Sequence, residues 1–295
     1  MKEPAVTLND LLKAKGIDPK QVGVMRHRPR EPKLNRVMPW LAAERPELFN
    51  AYQQTQGERV ERALQKVKFV ASFLGRSPGK AVFVGLYAVN GWTPMPTAEC
   101  LKLTLVAELV DRGMTFDTGR PTYFWFDLSP VADFHPEWKG RLVIKWPPPE
   151  RSWWRRAHNT NEMAVLAIRE ESAFDAALPP WEQIVLSWYD LAVMPSKLRA
   201  AVHEWRGDYF IYDTLKQKGY VGSASGRDNL LGRWTGYAAS GHGGNALLKD
   251  CEPTNLLFSI LQRVSPDLPM EDVIALETTW KKRLHTRSPA GLNDN

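Results

Sequence analysis

At 295 residues, 43% hydrophobic and 24% charged, the chain has material for two domains and a sizeable core. Lysine and arginine (39) outnumber aspartate and glutamate (33), a formal net charge of +6 that suits a polyanionic partner. The two cysteines, Cys100 and Cys251, match no paired metal-ligand or disulfide spacing, and neither a signal peptide nor an apolar run of membrane-spanning length is seen; these features predict a cytoplasmic protein without a membrane partner.

In chain order, Thr7-Leu8-Asn9-Asp10 reads as the capped start of a short helix, and apolar residues at helical spacing predict a long helical region over 45–74. Five strand-like segments follow: Ala81 to Val89, Leu101 to Leu109, Thr122 to Leu128, Arg141 to Trp146 and Met163 to Ile168. They predict a mixed α/β domain over 1–177 with a curved or barrel-like sheet. Pro179-Pro180 then interrupts the chain, and Trp181 to Val193 and Ser196 to Trp205 read as two helices of a linker over 178–202. Within 203–295, Asp208 to Asp213 and Lys218 to Ala224 form a β-hairpin signal around the polar turn 214–217. Alternation sends Tyr209, Ile211 and Asp213 to one face, with Tyr220 opening the second strand, so two phenols share one face. As residues alone, such a pair is equally a cross-strand packing pair. The predicted class for the whole chain is α+β.

Residues 201–295 carry 11 basic and 11 acidic side chains, so the whole net charge resides in the first 200 residues. Two basic runs stand out there. One holds Arg26, Arg28 and Arg30; the other, over 139–156, holds Lys139, Arg141, Lys145, Arg151, Arg155 and Arg156. A basic run is either a solvated face or a nucleic-acid contact, and the charge asymmetry selects these nine as candidate DNA contacts. Nine of the twelve tryptophans also precede residue 201. Tyr87, Trp92, Trp146, Trp153 and Trp154 are candidates for a base pocket, against the alternative that large aromatic rings form the core.

The order, spacing and type of several motifs in 203–295 resemble the GIY-YIG nuclease family. Gly207-Asp208-Tyr209 stands for the first motif, with Asp where isoleucine is usual, and Tyr220-Val221-Gly222-Ser223-Ala224 for the second. Leu231-Gly232-Arg233-Trp234 is similar to the arginine segment, Tyr237 stands where a histidine or tyrosine is expected, and Gly241-His242-Gly243-Gly244-Asn245 follows. Glu277 resembles the metal-binding glutamate on a helix, and Gly291-Leu292-Asn293 the closing Gly-x-Asn.

That resemblance implies a small antiparallel sheet flanked by helices, and hydrolysis of a phosphodiester with one Mg²⁺ or Mn²⁺ per active site held by Glu277. It implies that Tyr209 takes a proton from the attacking water or orients it, with Tyr220 and Tyr237 nearby. Arg233 would lower the phenol's pKa and neutralise phosphoryl charge, and His242 and Asn293 would contact phosphate or position water. With a separate aromatic-rich domain, the expectation is a restriction or defence endonuclease acting on double-stranded DNA, targeting modified bases by analogy with PUA-like readers. The alternatives are restriction at an unmodified site, a homing or repair nuclease, and an inactive DNA-binding protein. One active site per chain implies a homodimer at least on DNA for duplex breaks.

Overall fold

A computed structural model describes residues 6–75, 77–158, 162–175, 178–226 and 229–294. The chain divides into two compact units, Met1–Asp175 and Ala176–Asn295. The boundary expected after residue 177 falls at residues 176 and 177, outside the described set.

In the first unit, α1 (Leu8–Ala14) opens with a capping box in which Thr7 and Asp10 satisfy each other's backbone N–H groups. It leads to β1 (Val22–His27), three helices, α2 (Pro32–Glu44), α3 (Pro46–Gln54) and α4 (Glu58–Leu64), and then β2 (Phe69–Leu74). The long β3 (Lys80–Pro96), α5 (Thr97–Cys100), α6 (Thr104–Asp111), β4 (Thr122–Pro130), β5 (Leu142–Lys145), β6 (Trp154–Arg156) and β7 (Val165–Ile168) complete it. The sheet order is β6-β1-β2-β3-β5-β7, with β4 paired to the far half of β3, and only the β1–β2 pairing is parallel. Among the described residues this sheet does not close, so the barrel-like expectation is corrected to an open mixed sheet.

Two segments differ from their sequence reading. The helical region over 45–74 ends at Leu64, because Phe69–Leu74 is a central strand whose apolar run is buried on both faces and lacks alternation. The segment 101–109 is not a strand: Val106 and Leu109, three apart, bury one face of α6. Cores lie on both sides of the sheet. Leu41, Leu48, Phe49 and Leu64 pack with Val70, Val84 and Phe126 on one side, while Leu8, Leu12, Val24, Phe83 and Ile144 pack on the other. Both cysteines are free and buried.

The second unit is built on an antiparallel sheet of order β10-β9-β11-β8. Its strands are β8 (Val185–Ser187), β9 (Arg206–Asp213), β10 (Lys218–Ala224) and β11 (Leu256–Val264); its helices are α7 (Trp188–Ala192), α8 (Ser196–Glu204), α9 (Asn229–Ser240) and α10 (Met270–Arg283). The first predicted linker helix is thus a 3₁₀ turn, a strand and one short helix. Val185–Ser187 pairs with β11 as an edge strand, and Ser187 caps α7 in a second capping box. Segment 178–202 is therefore part of the second fold. Val202, Tyr209, Ile211, Trp234, Tyr237 and Phe258 form its core. No helix among the described residues is long and apolar enough to cross a membrane.

Candidate active site

The hairpin β9–β10 sets the register of the site: Tyr209 faces Gly222 and Asp208 faces Ser223. Two glycines make this geometry feasible. At Gly207, with φ +146°, a Cβ would stand 1.9 Å from the Gln262 carbonyl oxygen, where β11 bulges. At Gly222 a Cβ would stand 2.5 Å from the Tyr209 hydroxyl oxygen and 2.9 Å from a ring carbon of Tyr220, so the Tyr209 phenol lies in the space a side chain would fill.

Three phenols converge on this face. Tyr209, Tyr220 and Tyr237 have ring centroids 6.1–6.4 Å apart, and the hydroxyls of Tyr209 and Tyr237 are 3.1 Å apart. Tyr209 and Tyr237 are buried and Tyr220 is half-buried. Burial, then neighbouring Tyr220, pushes the Tyr209 pKa above its ordinary value, while Tyr237 and Arg233 pull it down and Glu277 adds to the rise. Tyr237 is also pushed up, by burial and the other two phenols. Burial thus contributes more to the Tyr209 pKa than the opposing pull of Arg233. Arg233 itself is exposed on α9, while its neighbour Trp234 is buried against Phe258.

Asp208 and Ser223 take the other alternation of the ladder, close enough to the phenols that the charge of Glu277 acts on Tyr209. There α10 presents Glu277, whose carboxylate accepts from the Ser223 hydroxyl and pairs at 2.8 Å with Lys281, one helical turn on. Asp208 is fully buried, and neither carboxylate oxygen has a hydrogen-bond partner. Burial first, and the charge of Glu277 second, push its pKa up to about 7. Two oxygen-donor carboxylates, one of them orphaned, fit a hard divalent cation, which prefers oxygen ligands and retains several waters. Among the described residues no group of three or more His, Cys, Asp or Glu gathers anywhere.

The remaining family-type positions are placed differently from expectation. Asn293 is buried, its side-chain oxygen accepting from Val221 N (3.0 Å) and its side-chain nitrogen donating to Val221 O (2.8 Å). It stitches the C-terminal segment to β10. His242 sits in the loop after α9 with Nδ1 accepting from Gly244 N (2.9 Å); its neighbour Gly243 packs on the Tyr237 ring, but no contact brings His242 to the phenols. Asp208, Ser223 and Lys281 were not selected from the sequence. Asp208 was visible as an acid in an isoleucine position, and Lys281 as the i+4 partner of Glu277.

In the first unit several candidate DNA contacts are structural. Arg26 is buried and donates to the carbonyls of Ser77, Lys80 and Glu150 at 3.0–3.2 Å. Arg155 donates to Pro149 O and Ser152, Arg156 to Lys66 O and Arg141 to Arg169 O. Lys139 is half-buried, and burial lowers its pKa. Arg28, Arg30, Lys145 and Arg151 are exposed. Of the proposed base-pocket rings, Trp146 is fully buried with Arg26 and Arg155 over its ring, Tyr87 is buried in the core and Trp154 packs against it partly buried. Trp92 and Trp153 stay exposed.

No family model matches the chain, and no curated protein matches it. Among solved structures, the catalytic domain of the homing endonuclease I-TevI matches over 30% of this chain and 98% of its own length, at 26% identity and a TM-score of 0.26.

Proposed function

We propose that the second unit is a divalent-metal-dependent endodeoxyribonuclease and that the first selects its DNA target, the pair forming a restriction or defence enzyme directed at modified DNA. The observation that carries the reading is the Tyr209 phenol lodged over Gly222, subject to the opposed fields of Arg233 and Glu277, with the unpartnered Asp208 carboxylate across from the Ser223 that binds Glu277. A packing pair of tyrosines requires neither the cation nor the buried acids.

Glu277 and Asp208 would hold Mg²⁺ or Mn²⁺, which when bound neutralises phosphate charge and lowers the pKa of water. Arg233, exposed on α9, binds the non-bridging oxygens through its guanidinium fork as negative charge builds there. Tyr220, the most accessible phenol, orients the attacking water, and Tyr209 and Tyr237 hold Tyr220 by ring contact and relay hydrogen bonds while remaining neutral. The water oxygen bonds to phosphorus, one phosphorus–sugar oxygen bond breaks, the water proton leaves to solvent, and the departing sugar oxygen takes a proton. Each chain has one such centre, so a break in both strands is made by a homodimer assembled on DNA.

The test is incubation of duplexes carrying cytosine, 5-methylcytosine, 5-hydroxymethylcytosine or glucosylated 5-hydroxymethylcytosine with Mg²⁺ or Mn²⁺, comparing wild type with Glu277→Ala. Cutting of a modified duplex alone, absent in Glu277→Ala, supports the reading. Site-specific cutting of plain DNA replaces it with conventional restriction, and an uncut set rejects the nuclease assignment.

A further inference from the structure

The first unit contains an open cavity of about 980 Å³ between the end of β1, the end of α3 and the loop before β6. That volume lies at the upper end for small-molecule sites, large enough for a nucleotide with its flanking phosphates. Its chemistry is divided. Arg28, Arg30 and Arg151 line it and are exposed, and none of the three is engaged in a hydrogen bond or ion pair among the described residues. The lining glutamates are already used, Glu150 beside Arg26 at 3.8 Å and Glu31 accepting from the Thr115 hydroxyl. Trp153, 38% exposed, also lines the cavity, and its backbone is fixed because its carbonyl accepts from Arg26 N at 2.8 Å.

The inner wall carries His27, 4% exposed, with the rings of Phe49 and Tyr52 edge-on at 5.2 and 5.4 Å. Burial lowers its pKa to about 4, so the imidazole is neutral at physiological pH. The Gln53 amide beside it opposes that shift. A neutral imidazole keeps one nitrogen as an acceptor and the other as an N–H donor. His27 Nε2 is buried and has no partner. A buried polar nitrogen left unpaired is destabilising, so the wall offers it to a ligand of complementary hydrogen-bonding chemistry.

We propose that this cavity takes a single nucleotide whose base carries an exocyclic donor, as the amine of a cytosine does, with the base against Trp153, its donor on His27 Nε2 and its phosphates on Arg28, Arg30 and Arg151. A DNA nucleotide reaches such a pocket only by leaving the stack, and a mispaired nucleotide leaves most easily. A substituent at position 5 of a cytosine would be sensed in the remaining volume. The inference deepens the proposed function by assigning target selection to this pocket.

Binding is measured with full-length Glu277→Ala protein and labelled duplexes carrying cytosine or its 5-methyl, 5-hydroxymethyl or glucosylated form at one position, paired or mispaired. The expected result is about tenfold tighter binding to the mispaired duplex and a preference for one modified base, both lost in Trp153→Ala and in His27→Leu. Trp153 is exposed, so its variant keeps the test valid if His27→Leu fails to fold. Competition by free dCMP or 5-hydroxymethyl-dCMP at micromolar concentration, sensitive to Trp153→Ala, assigns the pocket to free nucleotides; absence of competition assigns it to nucleotides within a strand. Mispairing and modification effects that survive both substitutions, with free nucleotides also inert, overturn the pocket. Cleavage by the wild-type chain, scored separately, decides the nuclease reading: loss of pocket binding with cutting retained rejects only the pocket, and pocket binding without any cutting rejects only the nuclease.

Discussion

His27 in the first unit and Asp208 in the second are both buried with orphaned polar atoms, and their surroundings differ. His27 is enclosed by aromatic rings and held by an amide, whereas Asp208 is buried near a second carboxylate. Burial drives both toward neutrality. It leaves the imidazole an uncharged hydrogen-bonding group, and it leaves the carboxyl in a place that a cation would stabilise. One unit is thereby arranged for recognition and the other for charge chemistry.

Glu277→Ala divides the two units most sharply. Cleavage should fall on the order of 10³-fold in single-turnover assays, the scale for losing a principal charge-stabilising group, while DNA affinity stays within a few-fold. Equal losses of both would erase the division. Tyr209→Phe should lower cleavage about 10²-fold, as loss of one positioned hydrogen-bonding group does, with a thermal midpoint close to wild type. A variant as active as wild type would return the tyrosines to simple packing.

Asn293→Ala should destabilise the second unit by about 1–3 kcal/mol, since it leaves the buried Val221 N–H and carbonyl unpaired, and chemical denaturation would register it. The smallest effect concerns pH, in divalent-free buffer. Asp208, with a folded pKa of about 7 above its ordinary value of 3.8, contributes stability below about pH 4 that is lost as pH rises to 7. His27, folded at about 4 against an ordinary value of 6.5, contributes stability above 6.5 that is lost as pH falls to 4. Between pH 4 and 6.5 the slopes oppose. Asp208→Asn should expose stability rising with pH, and His27→Gln the reverse; unchanged profiles in denaturant titrations would show that neither group is buried as described.

The second unit was the more legible in sequence. Its hairpin alternates cleanly, and Tyr209, Ile211 and Asp213 are indeed on the buried face while Phe210 and Tyr212 are half-buried. In the first unit, Val22–His27 is buried along its whole length, so β1 shows none of the alternation that marks a half-exposed strand. The run Leu-Lys-Leu-Thr-Leu at 101–105 alternates as a strand would, yet helix α6 starts within it because Val106 and Leu109 can bury a common face. Tryptophans were plain in composition, but only the fold shows that Trp146 is enclosed and Trp153 is not. Asp208 was legible as an unusual residue, whereas its burial without a hydrogen-bond partner shows only in the fold.

The arginine fork of Arg26 also bears on counterions. Side chains already spent on backbone carbonyls release no salt when DNA arrives. Of the nine cations the sequence nominated, Arg26, Arg141, Arg155 and Arg156 are so committed, and Lys139 is half-buried. That leaves Arg28, Arg30, Lys145 and Arg151 to displace condensed ions, so a plot of log affinity against log salt should have a slope of about −4 from this unit rather than about −8.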